Sequence, residues 1–341
     1  MMKKEKRLWP VIAGFVLIVM LTMGGWLYYN LTMRDVVLGD IVDAKKYDKH
    51  YVLISNQRNE KFWNEIYEAA NQTAKEKNAY LEIMKNDLST SYSTDEFLKM
   101  SIAAKVDGII MEHTGTLETE KLINEAVQNG IPVVTVIEDA PKSKRVSFVG
   151  ANNYMSGQIY GEQVLRIIDD SIEKIIVLTN GEMEQGKNIH TQINAVLVKN
   201  GYNEGDIVVE TLDLEAKGAF DVENAIRNRV LTTGTNPDIL ICMDEISTES
   251  AYQAIIDYNL VGIIRIIGYY GSDTAIEGLQ QGVIPVIFEL KADQIGSRSL
   301  EALSELSEDG RTNEYYVIEL NTIDKDNVGE YVGNNDYEKD E

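Results

Sequence analysis

Residues 130–163, GIPVVTVIEDAPKSKRVSFVGANNYMSGQIYGEQ, carry the pattern that sets the architecture. The run 131–137 is continuously apolar, rich in β-branched residues and too short for a helix. It predicts a strand buried on both faces. A polar turn follows, and 146–149 predicts a second short strand. A helix then opens near Asn152 and Asn153. It carries Gly157 and Gly161 four residues apart, so one bare stripe lets a neighbouring element lie close.

The same alternation fills the chain from residue 51. Short β-rich runs at 51–55, 80–85, 107–111, 174–179, 207–212, 239–243, 265–268, 284–288 and 316–320 are separated by segments of helical period. Phe62, Ile66, Ala69, Ala70 and Thr73 share one face of the first such helix. Leu122, Ala126 and Val127 mark the third, which stops at Asn129-Gly130. Strands alternating with helices build parallel sheets covered on both sides. One sheet of eleven strands would be unusually wide, and two lobes solve that problem.

The order strand, turn, strand, Asn-rich crossing and Gly-spaced helix over 131–163 resembles the hinge region of the type 1 periplasmic sugar-binding proteins, the ribose and galactose receptors. The resemblance covers about residues 51–328. It implies an α/β fold of two doubly wound parallel-sheet lobes joined by a three-stranded hinge, with a small solute held between the lobes. The crossings are expected near 151–153, 289–291 and 320–322. The N-terminal lobe is then 50–151 plus 291–320, and the C-terminal lobe 152–290 plus 321–330. The acidic, aperiodic residues 331–341 are expected to be a disordered tail.

The first 29 residues stand apart. Lys3, Lys4, Lys6 and Arg7 precede residues 8–29, which hold no charge. That length suits one transmembrane helix across roughly 30 Å of hydrocarbon. The basic cluster places the N-terminus in the cytoplasm and the binding domain outside the cell membrane, in a single-pass arrangement. Residues 30–49 read as a linker. A signal peptide cut at Gly24-Gly25 is the alternative, but the span exceeds the usual h-region of about 7–15 residues. The formal charge is −23, and with +3 in residues 1–29 the remainder carries −26. Such a surface repels nucleic acid. Cys242 is the one cysteine, so no intramolecular disulfide forms. Its apolar surroundings make it a structural thiol.

In open parallel sheets ligands bind beyond the carboxyl ends of the strands. That rule selects Arg58, Asn59, Phe62 and Trp63 after the first strand, then Glu112, Glu138, Asn188, Asp244, Tyr269, Tyr270 and Glu289. The resemblance implies that the aromatic pair Phe62-Trp63 stacks a sugar ring, whose C–H face is apolar enough to lie on a π face. The bland reading puts one of the pair in the core. The polar anchors depart from the family pattern. Ile137 stands where the receptors place an Asp, Lys187 and Asn188 where they place an Arg, Met243 where they place an Asn, and Tyr270 where a second Asp follows the aromatic. The surviving residues are acidic and aromatic, which suits a sugar-like ligand or a cationic one.

No catalytic signature is present: no G-x-S-x-G, no phosphate-cradling loop, no H-E-x-x-H, and three histidines far apart. No cofactor or metal is expected, and an enzyme using the cleft carboxylates is the weakest reading. The expectation is an extracytoplasmic solute-binding protein delivering a small polar ligand to an ABC importer. The alternative is an anchored co-receptor presenting that ligand to a two-component sensor histidine kinase.

Overall fold

The structure, a computed structural model, describes residues 20, 22–23, 47–55, 59–86, 91–169, 171–179, 184–203, 205–214, 219–231 and 237–337. The chain alternates β1 (Lys49–Ile54), α1 (Glu60–Glu76), β2 (Ala79–Met84), α2 (Thr94–Ala104), β3 (Gly108–Glu112), α3 (Leu117–Gln128), β4 (Val133–Val136) and β5 (Ser147–Gly150). It continues through α4 (Asn153–Ile167), β6 (Lys174–Thr179), α5 (Glu184–Lys199), β7 (Val208–Asp213), α6 (Ala219–Leu231), β8 (Ile239–Ile241), α7 (Glu245–Asp257), β9 (Arg265–Tyr269), α8 (Asp273–Gln280) and β10 (Val286–Leu290). It closes with α9 (Ala292–Asp309), β11 (Tyr315–Val317), β12 (Leu320–Asp324) and α10 (Val328–Tyr337).

These strands form two six-stranded sheets, ordered β11-β5-β4-β3-β1-β2 and β12-β10-β9-β8-β6-β7. All pairings are parallel except β10 with β12, which run antiparallel. The reason lies in the runs themselves. Every residue of β4, β5, β8 and β10 is buried, so both faces of each central strand need helical cover. One lobe has apolar clusters on the two faces of the first sheet, and the other lobe has the same arrangement around the second.

The helices fasten at close-packed glycines. A Cβ on Gly161 of α4 would lie 2.8 Å from the Val196 Cβ of α5, so the bare stripe read from the sequence faces α5. Gly296 of α9 approaches α1 more closely still. A Cβ there would meet the Ile66 carbonyl oxygen at 2.2 Å, a distance no side chain tolerates.

The chain passes between the sheets three times: between β5 and α4, at Lys291 between β10 and α9, and between β11 and β12. The last crossing corrects the reading of 316–320 as one strand leaving near 320–322. Leu320 already pairs with Leu290 in the second sheet, whereas Val317 pairs with Gly150 in the first. The break falls at Ile318 and Glu319, where the Ile318 N–H still reaches the Gly150 carbonyl at 2.8 Å. One apolar run thus serves two sheets, which hydropathy alone does not register.

The tail also needs correction. Residues 331–337 of the expected disordered tail lie in α10. Val328, Tyr331 and Val332 pack against the C-terminal lobe's core, an i, i+3, i+4 stripe hidden among acidic neighbours. Residues 338–341 lie outside the described residues. So do all of 1–29 except 20, 22 and 23, and most of the linker. Among the described residues no helix is long and apolar enough to cross a membrane.

Candidate functional site

The strand order points the carboxyl ends of β1, β3, β4, β6, β8 and β9 at one inter-lobe seam, and the candidate site is drawn from the described residues beyond those ends. After β1, Asn59 caps α1: its Oδ1 accepts the Phe62 N–H at 2.9 Å. That fixes the entry of α1 and turns Phe62 and Trp63 inward. Both enter the N-terminal lobe's core cluster, at 7% and 3% exposure. Arg58 lies outside the described residues.

After β4 the chain makes a tight turn. The Glu138 N–H donates to the Val136 carbonyl at 2.6 Å, and Ile137 at its centre has φ 65. A β-branched residue rarely takes that conformation, and holding it costs on the order of 1–3 kcal/mol. Glu138 is buried in consequence. After β9 a second non-glycine residue, Tyr270, has φ 67. Both strained residues follow strands that end at the seam, one in each lobe.

Tyr269 is the meeting point. Its backbone N–H donates to the Thr248 hydroxyl of α7 at 2.9 Å, and that hydroxyl lies 2.8 Å from the Asp244 carbonyl. Its side chain packs against apolar clusters of both lobes. Burial, then the carboxylates of Glu289, Glu112 and Asp244, push its phenol well above the usual range. Glu112 ends β3 in one lobe, while Asp244 and Glu289 belong to the other. Three of the sequence candidates are thereby gathered around a fourth. Asp244 has part of its capacity committed, since its Oδ1 caps α7 by accepting the Ser247 N–H at 2.7 Å. Asn188 is exposed on α5, outside this group.

Glu289 has a different task from the one its position suggested. One oxygen accepts the Gly271 N–H at 3.2 Å and the Tyr331 hydroxyl at 2.9 Å; the other accepts the Asn321 amide at 3.3 Å. Burial raises its pKa, and these donors, with Lys61, pull it back. The carboxylate therefore ties the β9–α8 turn, β12 and α10 together beside the hinge. Tyr270 is turned into the opposite lobe. It is buried in the N-terminal lobe's cluster, with its ring edge-on to Phe62 at 5.6 Å and 79°. A groove of about 1330 Å³ runs along this side, walled by α1 residues such as Lys61 and Glu65 and by Tyr270, Glu289 and Tyr331.

Two features were missed. Glu245, the first residue of α7, is half-buried, and its carboxyl is raised to about 7. Burial is the main cause, followed by Glu249; Lys61 opposes the shift, and Asp244 and Glu65 add to it. Only the fold brings α1 and α7 together, so no spacing in the sequence signals it. The second is a recess of about 410 Å³ past the ends of β1, β2 and β3, with Ser55, Asn86, Asp95, Thr114 and Thr116 in its wall. Asp95 accepts the hydroxyl of Thr119 at 2.6 Å, and Thr119 in turn lies 2.9 Å from Thr116. The run Thr114-Gly-Thr116 carries that signal in the sequence.

Cys242 is buried, and burial followed by Asp244 drives its thiol far up, so it is inert as a nucleophile. Among the described residues no group of His, Cys, Asp and Glu is arranged to hold a metal ion.

Residues 51–311 match the family model described as a periplasmic binding protein domain. A putative rhizopine-binding protein of Rhizobium meliloti is 24% identical over 249 residues, covering 69% of this chain and 76% of that protein. Among solved structures, the XylFII-LytSN complex contains a chain 25% identical, with TM-score 0.69, matching 82% of this chain and 98% of its own. An ABC transporter solute-binding protein from Burkholderia graminis, solved with D-arabinose, is 18% identical with TM-score 0.71 over 83% of this chain and 97% of its own. That last likeness is one of fold.

Proposed function

This chain belongs to the periplasmic binding protein family, and from that premise we propose that it holds a small polyhydroxylated solute between its lobes and presents the closed form to a membrane partner. The observation that carries the reading is the position of Tyr269: a half-buried aromatic packed against the apolar clusters of both lobes, with Glu112 of one lobe and Asp244 of the other near enough to raise its phenol. Carboxylates accept from hydroxyls, and an aromatic ring accepts a sugar's C–H face, so sugar-like ligands fit. The excess of acidic over basic groups around Tyr269 favours ligands that also carry an amine. The rhizopine-binding relative supports a search beyond common hexoses and pentoses.

Delivery to an ABC importer is the first reading of the downstream step. The second is presentation to a sensor, and it is supported by the 25%-identical chain in the XylFII-LytSN complex. Either route works from an anchored protein, and residues 1–29 are proposed to remain as that anchor. Mass spectrometry of the membrane protein tests the anchor, because a mature start between residues 25 and 30 removes it.

A thermal-shift screen of pentoses, hexoses, inositols and their amino derivatives tests the ligand class. Ligand at 100 times its Kd stabilises by about 2.7 kcal/mol, well above detection. If no member of the panel moves the melting point or gives heat in calorimetry, the proposal fails. Co-purification of the liganded full chain from membranes then separates a permease from a sensor.

A further inference from the structure

A protein that hinges should keep its two cores separate, yet Tyr269, Tyr270 and Leu290, at the ends of β9 and β10, all join or pack against the N-terminal lobe's cluster, and Tyr270 is the buried aromatic among them. Tyr270 leaves the end of β9 in the C-terminal lobe, yet its ring is 5% exposed and belongs to the core cluster of the N-terminal lobe. It meets Phe62 of α1 edge-on at 5.6 Å, a favourable aromatic geometry. Its backbone is fastened to the C-terminal lobe: its N–H donates to the Phe288 carbonyl at 2.7 Å, and the next N–H donates to Glu289. The Tyr331 hydroxyl fills the space where a side chain on Gly271 would begin, at 2.5 Å. The segment is clamped, so it cannot swing with the other lobe. Its φ of 67 is a conformation a bulky residue adopts only when surroundings impose it.

We infer that Tyr270 is an inter-lobe wedge that holds the two lobes together before any ligand binds. Opening the lobes drags a buried ring out of a core and exposes Phe62 with it, so the apolar contact favours the closed arrangement without ligand. The protein then differs from a receptor that is open until its solute arrives. Its partner meets the closed surface as the main form even without solute, and ligand adds to a population already dominant.

Spin labels at Leu117→Cys on α3 and Phe220→Cys on α6 read the inter-lobe distance by pulsed electron resonance. Both positions are exposed, at 70% and 71%, and both stand in the first turns of their helices, on the seam side of their lobes. The sample is the full chain in detergent, dialysed free of small molecules. The expected result is one narrow distance distribution that Tyr270→Phe preserves, because the ring and not its hydroxyl makes the contact. Tyr270→Gly removes the ring and relieves the positive φ, which offsets part of the lost burial and leaves the protein folded. Circular dichroism and melting verify that. Its distribution should broaden and shift to longer distance. A folded Tyr270→Gly protein with the parent's narrow distribution overturns the inference. So does a parent distribution that is already broad and long. Neither outcome touches the ligand proposal, since no ligand is present.

Discussion

Two carboxylates of the C-terminal lobe lie in the same inter-lobe region and face opposite circumstances. Glu289, by the hinge, is 9% exposed and accepts three hydrogen bonds from three separate segments. Glu245, at the start of α7, is half-buried among Glu249, Asp244 and Glu65, with Lys61 as the opposing charge. Both are raised above the ordinary carboxyl range, and burial leads in each case. The hinge supplies donors that return Glu289 toward ionisation, whereas the α1–α7 seam supplies further negative charge. Burial therefore does not decide what an acidic residue is for; its donors do. The hinge region holds its carboxylate with donors, and the seam crowds its carboxylate with other acids against the opposing charge of Lys61.

The largest effect bearing on this contrast comes from Trp63, on α1 with Lys61 and Glu65. Trp63→Ala empties a site 3% exposed in the N-terminal lobe's core. It should cost about 3–5 kcal/mol of stability in denaturant unfolding, the range for deleting a large buried aromatic. A variant that melts like the parent but loses ligand would return Trp63 to the binding surface and move the border between the two regions.

Tyr331→Phe takes one donor from Glu289 and should cost about 1.5–3 kcal/mol, as for a hydrogen bond to a charged group. The Glu289 titration should move further up, because a bond that favours the ionised form is gone. Unchanged melting at neutral pH would mean that α10 is not part of the hinge.

Glu245→Gln gives the smallest effect and the most specific one. The folded pKa is raised from 4.5 to about 7, so the protonated group favours the fold. That contribution is fully present below pH 4.5 and is lost as pH rises through 7. Removing the charge should therefore raise Tm at pH 8 by on the order of 1–3 °C, a small shift for a half-exposed group. The gain should vanish near pH 4.5, where the parent carboxyl is already protonated. A gain equal at both pH values would show that the charge is not its source.

The sequence revealed the two regions unequally. The hinge's framework was legible: the buried run at 131–137, the helix opening near Asn152 and the pair Gly157 and Gly161 each carry a local signature. The candidate site was half legible. Glu112, Asp244, Tyr269 and Glu289 were selectable because parallel sheets oblige ligands to the strand ends, and the fold does gather them. The directions of their side chains were not. Glu289 turns to Tyr331, a residue of a segment that its composition marks as disordered. Phe62 and Trp63 turn into the core because the Asn59 cap sets the angle of α1. Glu245 joins the seam only through α1, an element from the far end of the chain.

The alternation of strand and helix, the need for two lobes and the set of loops from which a site could be drawn are all written in the sequence. These are properties of hydrophobic period, length and turn chemistry, which act over a few residues at a time. Tertiary packing alone made residues 316–320 serve two sheets, placed Tyr270 in the opposite lobe's core, and left Glu289 bonded and Glu245 crowded. Those outcomes depend on which donors and charges arrive from distant segments, and burial makes each such arrival count for more than any local preference.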